Sequence, residues 1–293
     1  MTRLRAWLQP AALLDLFVIG NLAFLAVDIF VAHSINRFAH PAEWIPFIFS
    51  IAAPLLLLVS AALRGHARPS LASVSGRERS ARSLGLLIGW LSIIVGVAGM
   101  VLHLESQFFA QRTLESLVYT APFSAPLAYT GLGLLLILDR MVSDSDPAWS
   151  RWVLIMAAGG FFGNFVLSVA DHAQNGFFHP EEWLSVGASA FALSFTLMAA
   201  RDRPPRPLLR ATVFVVVLQC VIGLMGFALH VRGNLDRPGD VISSFLYGAP
   251  VFAPLLFIDI GLLALLGLYP KIEAARAAAI RAEVGGGAEV GGV

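Results

Sequence analysis

Long apolar runs alternate with short polar segments along the whole chain. Each run is close to the roughly 20 residues that a helix needs to cross the hydrocarbon core of a bilayer. Eight such runs occur, at residues 11–32, 44–63, 84–104, 122–139, 152–172, 183–200, 208–230 and 244–269. The pattern predicts an all-α membrane protein with eight transmembrane helices.

The composition supports this prediction. Apolar residues make up 57% of the chain and charged residues 13%, with a mean hydropathy of +0.76. A water-soluble domain of this size carries about 25% charged residues. We therefore expect the lipid bilayer to be the main surrounding of the chain.

The basic residues are unevenly distributed between the polar segments. Sixteen of the 20 Lys and Arg residues fall before the first run, after the last run, or in every second loop between them. Because cytoplasmic loops of membrane proteins are enriched in Lys and Arg, both termini are predicted to be cytoplasmic. This corresponds to a multi-pass protein of a bacterial-type inner (plasma) membrane.

Two pairs of segments are similar within the chain. IGNLAFLAVD resembles FGNFVLSVAD, and YTAPFSAPLAYTGLGLL resembles YGAPVFAPLLFIDIGLL; they lie at residues 19–28, 162–171, 119–135 and 247–263. The similarity predicts an internal duplication, with residues 1–142 and 150–270 each forming a four-helix half.

An even number of spans inserts both halves in the same direction, so a pseudo-two-fold axis along the membrane normal should relate them. Residues 271–293 are predicted to form a short helix and a disordered tail.

A nine-residue motif also occurs twice, as NRFAHPAEW at 36–44 and as NGFFHPEEW at 175–183. It is typical of a helix start, with His40 or His179 as the N-cap and proline at the first helical position. Glu43 or Glu182 then falls where a capping-box residue reaches back to the cap. The alternative is that the two histidines also bind a ligand.

The odd-numbered spans end in acidic or imidazole side chains at similar depth. Counted at about 1.5 Å per residue, these groups lie near the outer edge of the hydrocarbon; they are Asp28, His103, Asp171 and His230. Ionisable groups in spans normally face the interior of the helix bundle. We therefore predict a shared, outward-facing His/Asp site near the pseudo-axis.

Three kinds of chemistry suit this residue set. Imidazole and carboxylate ligands bind divalent zinc, iron or manganese. His103 and His230 are alternatively the two axial ligands of a haem. Without a metal, Asp–His pairs transfer protons beside a quinone or another small molecule. The structural alternative is that these groups only pair with one another or with water at the membrane boundary.

Further polar groups are secondary candidates near the same surface: His33, His172, His40, His179, Glu43, Glu115 and Glu182. Within the spans, Asp259 stands where the first half has Gly131, and Gln219 is predicted at a similar depth. A Gln219–Asp259 hydrogen bond is one interpretation of this pair. A step on a proton or ion path is the other.

The leading functional hypothesis is a metal, haem or quinone site in a membrane redox or metal-dependent role. The alternatives are a small-solute or ion transporter with parallel repeats, and a non-catalytic subunit of a larger membrane complex. The architecture resembles that of other eight-span proteins made of two four-helix units, such as haem A synthase, without a shared motif. Because Lys271 is the only lysine and lies beyond the last run, a retinal Schiff base is excluded, and no basic face suits nucleic acid.

Overall fold

The computed structural model describes residues 9–64, 76–118 and 120–289. Of these described residues 82% are helical, and no strand occurs in these ranges. A 3₁₀ turn, Pro41–Glu43, precedes α2. The α-helices are α1 (Pro10–Ser34), α2 (Trp44–Arg64), α3 (Gly76–Glu105), α4 (Phe108–Gln111), α5 (Leu114–Val118), α6 (Leu127–Met141), α7 (Pro147–Gln174), α8 (Glu182–Ala199), α9 (Arg206–Leu235), α10 (Val241–Tyr247) and α11 (Leu255–Glu289).

Seven of the described helices are long and apolar enough to cross a membrane, namely α1, α2, α3, α7, α8, α9 and α11. Between 22% and 39% of the residues in their most apolar windows are buried inside the protein. The remaining surface carries large exposed apolar side chains such as Phe214 and Leu55. Such faces need an apolar surrounding, as the hydrocarbon core of a bilayer provides.

The fourth predicted span contains a helix that is shorter than expected. Helix α6 has 15 residues, a length of about 22 Å against a hydrocarbon core of about 30 Å. Pro126 has no N–H group, and the chain from Pro122 to Pro126 forms consecutive 3₁₀-type turns before α6 begins. The number of eight spans therefore stays a prediction.

The last predicted span, 244–269, is interrupted. Helix α10 ends at Tyr247 and α11 begins only at Leu255, because Pro250 and Pro254 cannot donate to a helical ladder. Helix α11 then continues through Pro270 to Glu289. The expected separate helix from Lys271 is thus a continuation of the last span, and residues 290–293 lie outside the described part.

The seven long helices and the shorter α6 pack as two rings of four. In the first ring α1 contacts α2, α2 contacts α3, α3 contacts α6, and α6 returns to α1. In the second ring α7, α8, α9 and α11 contact one another in the same order. The rings meet where α6 packs on α7 and where α1 packs on α11. This order agrees with two halves inserted in parallel, whereas their common origin and the pseudo-axis stay predictions.

Candidate functional site

The repeated loop motif begins where α1 ends. The Phe38 N–H donates to the His33 carbonyl and the Arg37 N–H donates to the Ser34 carbonyl. These two bonds form a Schellman motif, which satisfies the last carbonyls of a helix. Arg37 and Phe38 have φ values of 61° and 52°, in the left-handed region. The reversal brings the Phe38 ring to 4.4 Å from the Trp44 ring, in a stacked arrangement.

The same loop follows α7 in the second half. The Phe177 N–H donates to the His172 carbonyl, and the Gly176 N–H donates to the Ala173 carbonyl. Gly176 and Phe177 also have positive φ values, 71° and 55°. The Phe177 ring stacks on the Trp183 ring at 4.0 Å. The two loops therefore share their backbone course and their aromatic contact.

The glutamate of the first motif does not form the predicted capping box. One Glu43 oxygen, Oε1, accepts from Asn36 Nδ2 at 2.7 Å, and Oε2 lies 3.6 Å from His33 Nδ1. Oε2 is buried and has no hydrogen-bond partner among the described residues. His40 is the N-cap as predicted, since its Nδ1 accepts from the Ala42 N–H at 3.2 Å.

Glu182 is placed in the same way in the second half. Its Oε1 accepts from Asn175 Nδ2 at 3.0 Å, and Oε2 lies 3.5 Å from His172 Nδ1. This Oε2 is also buried without a hydrogen-bond partner in the described ranges. The predicted cap at His179 is wrong, because α8 begins two residues later, after a turn, with Glu181 as its N-cap.

His103 and His230 are fixed by the proline-rich turns that precede α6 and α11. His103 Nδ1 lies 3.0 Å from the Pro122 carbonyl, and His230 Nδ1 lies 2.8 Å from the Pro250 carbonyl. Both carbonyls lack an α-helical donor because the residue four positions later is again a proline. A carbonyl only accepts, so Nδ1 carries the proton in each ring. Nε2 is left as an acceptor in the neutral imidazole.

Close helix packing at two glycines places these histidines next to the proline carbonyls. A Cβ atom at Gly96 would lie 2.7 Å from the Thr130 backbone nitrogen. A Cβ atom at Gly223 would lie 2.8 Å from the Pro254 carbonyl oxygen. Each histidine follows its glycine by seven residues, two helical turns on the same face. The close packing of α3 on α6 and of α9 on α11 therefore sets the imidazole position.

The structure thus brings together one His–Glu–His group in each half. The first group is His33, Glu43 and His103, with the two imidazole centroids 6.3 Å apart. The second group is His172, Glu182 and His230, in which the two imidazoles interact electrostatically. The carboxylates are mostly shielded, with 15% of the Glu43 and 12% of the Glu182 side-chain surface exposed.

The shared His/Asp site expected on the pseudo-axis stays a prediction. No ring contact joins His103 to His230 among the described residues; each approaches the α1 or α7 histidine of its own half. Asp28 and Asp171 have no hydrogen-bond partner in the described ranges, and Asp28 interacts electrostatically with Tyr129 of α6.

No set of three or more His, Cys, Asp or Glu side chains in the described residues has a geometry suited to a metal ion. Glu115 is exposed on α5. His40 and His179 each interact within their own loop, His40 with the Ala42 N–H and His179 with the Phe178 ring.

The interpretation of a Gln219–Asp259 hydrogen bond is wrong. Gln219 is fully buried and its Nε2 lies 3.4 Å from Ser189 Oγ. Asp259 Oδ1 instead accepts from Asn21 Nδ2 at 2.8 Å. Helix α11 packs on both α9 and α1. The similar depth of Gln219 and Asp259 therefore does not specify which of the two helices Asp259 faces.

Sequence reasoning missed the neutral groups that position the charged ones. Asn36 and Asn175 orient the two glutamates, and a signal existed because asparagine opens both copies of the motif. The spacing of proline at i and i+4 indicates that the Pro122 and Pro250 carbonyls lack an α-helical donor and can accept from a side chain.

Comparison with protein-family models, with curated proteins and with solved structures finds no match. The seven long apolar helices define the class as a polytopic α-helical membrane protein.

Proposed function

We propose that each His–Glu–His group binds the hydroxylated head of a membrane-soluble small molecule of the quinol class and exchanges protons with it. The observation that carries this proposal is the buried Oε2 atom of Glu43 and of Glu182, which lacks a hydrogen-bond partner in the described chain. A buried carboxylate oxygen without a donor is costly, so a donor supplied by a ligand is favoured.

Each His–Glu–His group is suited to a ligand that donates hydrogen bonds. Glu43 Oε2 accepts hydrogen bonds, and the tautomer of His103 leaves Nε2 as a second acceptor. A quinol carries two O–H donors, whereas its oxidised quinone carries only carbonyl acceptors. The proposed site therefore prefers the reduced form.

Proton exchange follows from the neighbours of the carboxylate. His33 Nδ1 lies 3.6 Å from Glu43 Oε2, and the equivalent distance from His172 to Glu182 is 3.5 Å. An imidazole and a carboxylate this close together can take up a hydroxyl proton and pass it on. About a fifth of each imidazole side chain is exposed, 22% for His33 and 19% for His172, which leaves a route to water.

Of the three chemistries that the residue types allow, the geometry supports this one best. A metal ion needs three or more ligands converging on one point, and a haem with two axial histidines needs both rings facing one plane. His33 and His172 pair with the glutamate of their own half. His103 and His230 are each held by a proline carbonyl of their own half. Hydrogen bonding to a hydroxylated head needs only the acceptors that are present.

Binding of a quinol with a short tail to the protein in lipid nanodiscs tests the proposal. The double variant Glu43→Gln, Glu182→Gln is expected to lose at least tenfold in affinity, since an amide replaces both acceptor carboxylates. Glu115→Gln is the matched control, because Glu115 is exposed. Equal affinity for quinol and quinone, or an unchanged affinity in the double variant, would refute the proposal.

We also propose eight spans, both termini in the cytoplasm and both His–Glu–His groups on the outer side of an inner membrane. This is supported by the distribution of basic residues and by the length of α6 together with its 3₁₀-type turns, about 20 residues in all. Cysteines introduced at Ser145 and Ser106 test it. A membrane-impermeant thiol reagent should label only the cysteine at position 106 in intact cells.

A further inference from the structure

A carboxyl group lies beside the middle of α1 where the two rings meet, on the first turn of α11, four residues after Leu255. Asp259 of α11 accepts from Asn21 of α1 at 2.8 Å, and the same amide donates to the Phe17 carbonyl at 3.0 Å. Asn21 lies 11 residues after the start and 13 before the end of α1. At about 1.5 Å per residue, this is about 17 and 20 Å from the two ends.

Asp259 faces no cation. No Lys, Arg or His in the described chain forms an ion pair with it; its one hydrogen-bond partner there is the neutral Asn21 amide. The helices packed on α11 are α1, α7, α8 and α9. Near this depth they carry one other titratable group, the neutral thiol of Cys220, which contacts Gly261. The nearest carboxylates on α1, Asp15 and Asp28, are six and seven residues away from Asn21, about 9–10 Å along the axis.

An ionised carboxylate in this position would be strongly disfavoured. Burial of a charge in apolar surroundings costs many kcal/mol unless a counter-charge is present, so such groups are neutralised instead. The Asn21 amide supplies no charge, and the positive end of the α11 dipole supplies only a partial one. The carboxyl is therefore expected to be neutralised by a bound cation. A proton is the smallest cation and needs no ligand besides the carboxyl itself.

The second contact between the rings lacks the carboxyl group. The sequence repeat places Asn164 of α7 at the position of Asn21 and Gly131 of α6 at the position of Asp259. Asn164 is 4% exposed, and its Nδ2 has no hydrogen-bond partner in the described residues. A Cβ atom at Gly131 would meet nothing within 4 Å. The amide is thus present at both contacts and the acid at only one.

We propose that Asp259 is a proton-binding site between the two halves, which carries one exchangeable proton per chain at neutral pH in the middle of the membrane. This site is separate from the His–Glu–His groups and does not depend on the function proposed for them. A proton held at this depth is what a proton-coupled transport or redox step across the bilayer requires.

Infrared difference spectroscopy of the protein in lipid tests the proposal, because a protonated carboxyl has a carbonyl band that a carboxylate lacks. The wild-type spectrum minus that of Asp259→Asn at neutral pH should show one protonated carboxyl per chain. The difference should vanish at a pH high enough to ionise the group. Loss of carboxylate bands instead would overturn the proposal, as would a protonated band seen only when sodium is absent.

Gly131→Asp provides a matched gain-of-site variant, since space is open at Gly131 and the unpaired Asn164 amide is expected to face it. The proposal predicts a second protonated carboxyl in this variant, hence twice the band intensity. Addition of carboxylate bands alone would show that the surroundings do not neutralise an acid there, and would contradict the argument. Quinol binding in Asp259→Asn should be unchanged, which separates this test from that of the outer groups.

Discussion

Arg140 is the centre of a buried ion cluster at the end of α6 opposite to the His–Glu–His groups. Its guanidinium donates to Asp15 of α1 at 2.7 Å and to the neighbouring Asp139 at 2.5 Å. Side-chain exposure is 2% for Arg140, 14% for Asp15 and 2% for Asp139. We predict that Arg140→Leu strongly destabilises the protein, because it removes a buried cation that pairs with two shielded carboxylates.

The expected magnitude follows from the burial. Removing one partner of a buried ion pair costs about 3–5 kcal/mol, since the remaining charge loses its compensation. By the sequence repeat, the second half has Ala158 and Leu268 in place of Asp15 and Arg140, and both are buried. An apolar arrangement therefore fits the same packing, and replacing all the charges together should cost much less.

Equilibrium unfolding in mixed micelles, followed by circular dichroism, measures these differences. Arg151→Leu is the matched control, because Arg151 pairs with Asp202 at 3.1 Å and both are largely exposed, at 42% and 83%. Such exposed pairs contribute about 0–1 kcal/mol. The triple variant Asp15→Ala, Asp139→Asn, Arg140→Leu should recover at least half of the loss. A free energy of unfolding for Arg140→Leu within about 1 kcal/mol of wild type would refute the reasoning.

Two further predictions concern the elements that position the outer groups. Gly96→Ala and Gly223→Ala should each lower stability by about 1–3 kcal/mol and weaken quinol binding, because the new Cβ pushes against the backbone of α6 or α11; thermal melts and binding titrations measure both effects. Arg37→Gly should raise the melting temperature, since a left-handed residue with a side chain costs about 1–2 kcal/mol relative to glycine. Gly176→Ala should lower the melting temperature. A shift in the same direction for both variants would contradict the assignment of a shared Schellman motif.

The sequence predicted the helical membrane class because apolar run length is a direct physical requirement of the bilayer. It predicted the equivalence of the two loops because the motif letters recur, and the contacts of Glu43 and Glu182 match atom by atom. The predicted spans 122–139 and 244–269 include Pro122–Pro126 and Pro250–Pro254, whereas the structure has no α-helix at either segment.

The arrangement of the site was harder to predict because depth along a helix does not specify which neighbour a side chain faces. Asp28 and Asp171 are aligned by the sequence repeat, yet the loop motif aligns His33 with His172, one helical turn out of step. The contacts follow the loop alignment, since the Schellman motif joins the histidine to the loop. Asn21 was not recognised as the partner of Asp259 because that contact crosses between the halves.

The number of quinol molecules bound per chain tests the central claim most directly. Two equivalent His–Glu–His groups predict two sites of wild-type affinity per chain. Glu43→Gln and Glu182→Gln should each retain one site of this affinity, and the double variant none. A single bound molecule that both single variants abolish would point instead to one site shared by the halves. A stoichiometry that none of these variants changes would contradict any role of the two glutamates in binding.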